Sequence, residues 1–264
     1  EPVGHYNSTV FIISGITGIN HRNEKDIIDI LSNDENRVVV LHPRGTGCSE
    51  GKRGDISSFS IFLNDYIEVI QSDKDYRSPY HCLLLYGHSM STAILLGVAA
   101  QIDNVNGVIL INPPYIQKKA KGMSPSLRQY LKFMLYMLFA KHKPVVNMAG
   151  NPSKIDNKED RKEAEQRIKD SLLVQHFSMY YMNSVRKLIR AMPDYCIKAN
   201  YPLLLIHGLS DAIVDKRGCD IIFSNWKHPD KKYLLVRDGT HGKSTVRKAA
   251  KEIQDWIKQM QKVR

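Results

Sequence analysis

Long apolar runs are missing from this 264-residue sequence. No run approaches the roughly 18 residues that a bilayer-spanning helix needs, and the N-terminus lacks the charged and apolar regions of a secretory signal. We therefore expect a cytoplasmic protein whose contact with membranes, if it has any, is peripheral.

Paired cysteines are missing as well. Cys48, Cys82, Cys196 and Cys219 form no C-x-x-C motif, and no histidine stands near them at the spacing of a zinc site. The sequence therefore predicts free thiols in a reducing compartment, with no metal and no cofactor.

Hydrophobic residues make up 42% of the chain, which at this length suits one core, either as one domain or as one domain with an insertion. Charge is placed unevenly. Residues 113–200 hold 17 lysines and arginines against 7 acidic residues, and this surplus of 10 is nearly all of the chain's formal net charge of +11.

The most informative stretch is residues 83–100, where an apolar run breaks at Ser89 into a helical pattern. Strand, sharp turn and helix with serine at the apex form a nucleophile elbow, which needs small residues such as Gly87 and Ser91 two positions either side. The N–H of Met90 would then lie at a helix N-terminus, where it can hold an oxyanion. The sequence GHSMS at residues 87–91 would also fit a buried serine in an ordinary strand-to-helix turn.

Strand-like and helix-like segments alternate on both sides of this turn. Spacings between the strands call for parallel crossovers, so the pattern predicts an α/β fold with a mostly parallel central sheet flanked by helices. The strand-like runs are residues 9–14, 38–41, 83–86, 108–111, 203–207 and 232–236.

Two further residues with suitable chemistry follow in order. Asp211 comes just after a strand-like run, at the edge where open α/β sheets place their sites, and His241 lies on a glycine-bounded loop. A serine hydroxyl needs a base to take its proton, and that base needs a carboxylate to fix its tautomer. The order Ser89, Asp211, His241 therefore predicts a catalytic triad.

A glycine-containing loop, residues 15–18, follows the first strand-like run. Such a loop can supply a second oxyanion donor, and the N–H of Ile16 is the candidate, although a plain turn explains the same residues.

The alternation stops over residues 113–200, which we interpret as a helical cap inserted into a core formed by residues 1–112 and 201–264. Residues 126–140 are apolar almost all round, so this helix either packs on the core or faces lipid, and its basic flanks favour an anionic interface. The flanking lysines are Lys118, Lys119, Lys121, Lys141 and Lys143.

These motifs together resemble the α/β-hydrolase superfamily, most closely its monoacylglycerol lipase and lysophospholipase group. The elbow of that group reads GHSMG where residues 87–91 read GHSMS. Its R-G-x-G-x-S-x-G and H-G-x-x-D-x-I-V motifs resemble residues 44–51 and 207–214, and the resemblance covers nearly the whole chain. This chain departs from the group at Ser14, where the group has histidine, and at Ser91.

The resemblance implies Ser89 as nucleophile, Asp211 as acid, His241 as base, and the N–H groups of Met90 and Ile16 as oxyanion hole. It also implies a helical lid. The residues that we expect to contact the substrate are Gly15, His88, Leu131, Met134 and Leu138.

The implied function is a serine hydrolase that cleaves esters of lipid-like acyl chains, of the monoacylglycerol or lysophospholipid type. A thioesterase or acyltransferase could use the same acyl-enzyme, a carbon–carbon hydrolase or an amidase shares the triad, and a non-catalytic binding protein could keep the fold. The expected partners are a small acyl ester and, through the basic cap, an anionic membrane surface. No nucleic acid is expected.

Overall fold

A computed structural model describes residues 6–18, 24–118 and 127–262 of the chain. The strands are β1 (Ser8–Ile12), β2 (Asn36–Val40), β3 (Cys82–His88), β4 (Gly107–Ile111), β5 (Pro144–Asn147), β6 (His176–Ser178), β7 (Leu203–Gly208) and β8 (Lys231–Val236). The helices are α1 (Lys25–Leu31), α2 (Phe59–Gln71), α3 (Met90–Ala99), α4 (Leu127–Phe139), α5 (Lys158–Lys169), α6 (Met179–Lys198), α7 (Lys216–Asn225), α8 (Lys243–Lys248) and α9 (Ala250–Lys262).

Six of these strands form the central sheet, in the order β2-β1-β3-β4-β7-β8, and all neighbours are parallel. Helices α2, α3, α6 and α7 cover one face, and α1, α8 and α9 cover the other. The central strands are apolar on both faces for this reason, so that neighbouring Leu84 and Leu85 are both buried, on opposite sides. The predicted α/β fold class is confirmed.

The register of the sheet brings several strand ends to one edge. His88 pairs with Ile111, Ile111 pairs with Ile206, and Gly208 pairs with Val236. Because parallel strands all run the same way, the residues that follow β3, β4, β7 and β8 emerge side by side. Any chemistry shared by those four loops is therefore located at this edge.

The segment that was predicted to be the cap, residues 113–200, contains α4, a small antiparallel sheet of β5 and β6, α5 and α6. Helix α6 packs against α3, and its apolar face joins the core through Tyr181, Val185, Leu188 and Met192. The division into core and cap stays a prediction, and the structure adds that α6, the last helix of this segment, packs into the hydrophobic core. Within the described ranges, no helix has the length and apolar character to cross a membrane.

Candidate active site

Ser89 occupies the turn between β3 and α3 with φ 56° and ψ −128°, a backbone conformation that residues other than glycine rarely adopt. The strand and helix pass closely there, since a Cβ added to Gly87 would lie 3.2 Å from the Ser91 carbonyl carbon. Ser91 stabilises the turn, because its hydroxyl accepts from the His88 N–H at 2.7 Å and donates to the His88 carbonyl at 2.9 Å. The serine that replaces glycine therefore contributes two hydrogen bonds to the elbow.

Three side chains from three different loops meet at this turn. Ser89 Oγ lies 2.8 Å from His241 Nε2, and His241 Nδ1 lies 2.8 Å from Asp211 Oδ2. With the proton on Nδ1 donated to Asp211, Nε2 is free to accept the serine proton. This arrangement can activate a hydroxyl as a nucleophile and stabilise the imidazolium that forms.

Asp211 is fully buried, and its environment favours the carboxylate. Burial by itself would raise the pKa of Asp211. The hydrogen bond and charge of His241 and the N–H groups of Val214 and Ile213 outweigh burial, so the pKa lies below its ordinary value. Asp211 is therefore ionised near neutral pH.

A cavity of about 360 Å³ opens above Ser89. Met90, Ile16 and Gly15 border it together with Ser89 and His241, so the structure brings both predicted oxyanion residues to the predicted triad. A Cβ added to Gly15 would lie 3.9 Å from the Ser91 nitrogen, which places this loop against the elbow.

The loop of Gly15 is also held by a residue that was not predicted from the sequence. The buried hydroxyl of Tyr66, on α2, donates to the Ser14 carbonyl at 3.0 Å. Tyr66 shares the apolar face of its helix with core residues, so the sequence pattern does not distinguish it from a residue that only packs.

The predicted acyl-pocket residues of α4 do not line this cavity. Leu131, Met134 and Leu138 are 45%, 44% and 67% exposed and are not among the residues that border the cavity, and α4 contacts α6. The structure corrects this expectation. The residues of the 113–200 segment that do border the cavity are Met148, Ala149, Ala164, Arg167, Ile168, Leu173, Val174 and Gln175.

His88, predicted to contact the substrate, borders the cavity but is engaged with the histidine loop. Its Nε2 lies 2.7 Å from the His241 carbonyl, to which it can only donate. Burial, and then the proximity of His241, lower the pKa of His88 to about 3. His88 is therefore a neutral imidazole with its proton on Nε2, and it holds the backbone of His241 in place.

Two more residues connect these loops, in roles that were not predicted from the sequence. Asn112, fully buried after β4, donates to the Thr240 carbonyl at 3.1 Å and accepts from the Gly208 N–H at 3.0 Å. Lys118 Nζ donates to the Asp211 carbonyl at 2.5 Å. The position of Asn112 directly after a buried strand was a signal that could have been used, since the next strands deliver Asp211 and His241.

A parallel sheet with helices on both faces, a serine at a strained strand-to-helix turn, and a histidine and aspartate on later loops define an α/β-hydrolase. A family model supports this class directly. The model of the Hydrolase_4 family, described as serine aminopeptidase, S33, matches residues 4–243, and the chain belongs to that family. The resemblance drawn from the motifs is confirmed at this level.

Monoglyceride lipases are among the relatives that the chain resembles. The enzyme of Mus musculus is 25% identical over 246 residues, covering 91% of this chain and 77% of the relative. The enzyme of Homo sapiens is 25% identical over 249 residues, with the same coverage.

Solved structures of similar proteins share the fold. A soluble variant of monoglyceride lipase from Saccharomyces cerevisiae has a TM-score of 0.79 at 16% identity, covering 98% of this chain and 88% of its own. The monoacylglycerol lipase of Paleococcus ferrophilus has a TM-score of 0.73 at 18% identity, covering 97% and 96%.

Proposed function

We propose that this protein is a serine hydrolase that cleaves carboxylic esters of lipid-like acyl chains, of the monoacylglycerol or lysophospholipid type. The observation that carries the proposal is the connected chain of Ser89, His241 and Asp211, with both contacts at 2.8 Å, beside a cavity. The names of the relatives support the choice of an ester of a fatty acid as substrate.

In the proposed reaction, Ser89 Oγ attacks the acyl carbonyl carbon while His241 Nε2 takes the hydroxyl proton. The negative oxygen that forms is stabilised by the N–H groups of Met90 and Ile16. His241 then gives its proton to the leaving alcohol, and the acyl group stays on Ser89 as an ester. Water attacks that ester with His241 again as base, which releases the fatty acid and restores the hydroxyl.

The walls of the cavity favour an apolar acyl chain. Ile13, Met148, Ile168, Leu173 and Ile213 border it, and burying a CH₂ group among such side chains contributes about 0.8 kcal/mol. Each added CH₂ that enters the cavity should therefore raise the affinity for the acyl chain until the cavity is filled.

A panel of p-nitrophenyl esters, from acetate through butyrate and octanoate to palmitate, tests the proposal. We expect kcat/KM to rise from acetate to octanoate as more of the chain is buried. An aminoacyl p-nitroanilide provides the amide arm, which the family description makes relevant. Turnover of the anilide without turnover of any ester would contradict an ester hydrolase, and a flat ester series would contradict the apolar acyl site.

We also propose that α4 contacts anionic lipid surfaces. Large apolar side chains on it are exposed and do not border the cavity above Ser89, and Lys141 and Lys143 follow directly, also exposed. The exposed apolar side chains are Leu131, Phe133, Met134, Leu135, Leu138 and Phe139. Of the other predicted lysines, Lys118 is engaged with Asp211, while Lys119 and Lys121 lie outside the described residues.

Co-sedimentation with vesicles of phosphatidylglycerol or phosphatidylcholine measures this contact. Binding should require the anionic lipid and weaken with salt, because each lysine near the surface contributes about 1 kcal/mol that screening removes. Lys141→Gln with Lys143→Gln should reduce binding, whereas the matched pair Lys251→Gln with Lys258→Gln, exposed on α9, should not. Equal binding to both lipids, or binding to neither, would contradict the proposal.

A further inference from the structure

Helix α5 lies beside the cavity without being part of the hydrophobic core. None of its residues is buried, and its sequence KEDRKEAEQRIK is almost entirely charged or polar. Ala164 and Arg167 nevertheless border the cavity above Ser89. Polar contacts therefore hold this helix against the site.

The N-terminal half of α5 binds the loop that carries His241. Thr240 Oγ1 donates to Asp160 Oδ1 at 2.9 Å, and Thr240 immediately precedes the histidine. The approach is close, since a Cβ added to Gly242 would lie 2.5 Å from the same carboxylate oxygen. Asp160 thus contacts the loop on both sides of His241.

Ion pairs support this attachment. Arg247, on α8 just beyond the histidine loop, lies 2.9 Å from Glu163 and also pairs with Glu159, both on α5. The same guanidinium reaches Asp26 at 2.7 Å, on the core helix α1. Arg247 therefore connects α5 to the body of the fold next to the site.

The C-terminal half of α5 binds the loop that follows β1. Arg167 Nη2 donates to Thr17 Oγ1 at 2.9 Å, and Thr17 is the neighbour of Ile16 in the loop of the proposed oxyanion hole. Asp160 and Arg167 lie about two helical turns apart, so both project from one face of α5. One helix thus contacts both the loop of His241 and the loop of Ile16. The distance between these loops sets the position of the base relative to the proposed oxyanion donor.

We propose that Asp160 and Arg167 are positioning residues for the reaction at Ser89, acting through the loops of His241 and Ile16. The inference rests on the proposed function. Reacting groups must be held closely to their productive geometry, and a misplacement of about 1 Å can cost about a hundredfold in rate. The histidine loop is held by Asn112, which binds the Thr240 carbonyl, and by Asp160 of α5, which binds the Thr240 hydroxyl.

The test compares variants at both ends of the Thr240–Asp160 contact. Thr240→Val removes the hydroxyl and keeps the shape, and Asp160→Ala removes the acceptor. Each should lower kcat for p-nitrophenyl butyrate about tenfold with KM changed less than about twofold, and the double variant should be no slower than either single one because both remove one contact. Arg167→Ala should lower kcat to a similar extent, through the other loop.

Rescue and a matched control separate positioning from general destabilisation. Thr240→Ser and Asp160→Asn keep the donor and the acceptor, so they should recover most of the lost rate. Glu165→Ala, exposed on the same helix, should leave kcat unchanged. The thermal unfolding midpoints of all these variants should stay close to that of the wild type.

Labelling Ser89 with a fluorophosphonate distinguishes a failure of the positioning role from a failure of the proposed function. A wild-type protein that is labelled, with Thr240→Val and Asp160→Ala turning over normally, would overturn the positioning role alone. A loss of rate that the conservative variants do not rescue would overturn it as well. A wild-type protein that is not labelled would contradict the proposed function itself.

Discussion

Ser89→Ala should lower kcat for ester hydrolysis by about a million-fold, the loss found when the serine of such a triad is removed. The substitution deletes the atom that would form the acyl-enzyme and leaves the cavity and the backbone donors in place. Substrate binding should persist, so the loss should appear in kcat and not in KM. Steady-state hydrolysis of p-nitrophenyl butyrate, together with fluorophosphonate labelling, measures both effects.

Ser224→Ala, exposed on α7, is the matched control and should be labelled and turn over as the wild type does. His241→Ala should be nearly as slow as Ser89→Ala. The double variant should be little slower than either, because the two residues act as one unit. Covalent labelling of Ser89→Ala at the wild-type rate would show that the nucleophile is another residue.

Asp211→Asn should lower kcat by about ten-thousandfold. The structure explains why a change of one atom is so severe. The new side-chain amide would keep an oxygen for the N–H groups of Ile213 and Val214, which now bind Asp211 Oδ1 at 2.7 and 2.8 Å. Its NH₂ group would then face His241 Nδ1, which must accept, and the ring proton would move to Nε2, where it blocks proton transfer from Ser89.

Rates measured at neutral pH, together with urea unfolding curves, test this prediction on folded protein. Asp215→Asn is the control, because Asp215 caps α7 and pairs with Arg217 without contacting His241. Near-normal turnover by Asp211→Asn would show that the acid is misassigned. Asp238, in the loop before His241, would then be the next candidate.

The contacts of α4 could not be predicted from its sequence. Residues 126–140 are apolar almost all round, and we expected Leu131, Met134 and Leu138 among them to contact the substrate. Periodicity reports which side chains share a helix face, but it does not report what that face contacts. In the structure α4 contacts α6, and the residues of the 113–200 segment that border the cavity include Ala164, Arg167 and Ile168 of the charged helix α5.

The contacts that hold the site together could not be derived from the sequence, although the position of Asn112 directly after a buried strand placed that residue at this edge of the sheet. Asn112 reaches the carbonyl of Thr240, and Asp160 accepts from the hydroxyl of the same residue. Each contact joins parts of the chain that are far apart in sequence, and neither residue belongs to a recognisable motif. Their roles depend on which loops emerge side by side, and that is a property of strand order and register.

The sequence by itself determined the fold class, the elbow at Ser89 and the order of the three residues proposed as the triad. These features are local, because strand, turn and helix patterns are written in neighbouring residues, and because the fold delivers its chemistry in a set order along the chain. Only the tertiary structure decided that α5 borders the cavity, which side chains hold the loop of His241, and that Asp211 is fully buried. Those facts depend on contacts between distant segments, and such contacts exist only after the parallel sheet has brought its strand ends to one edge.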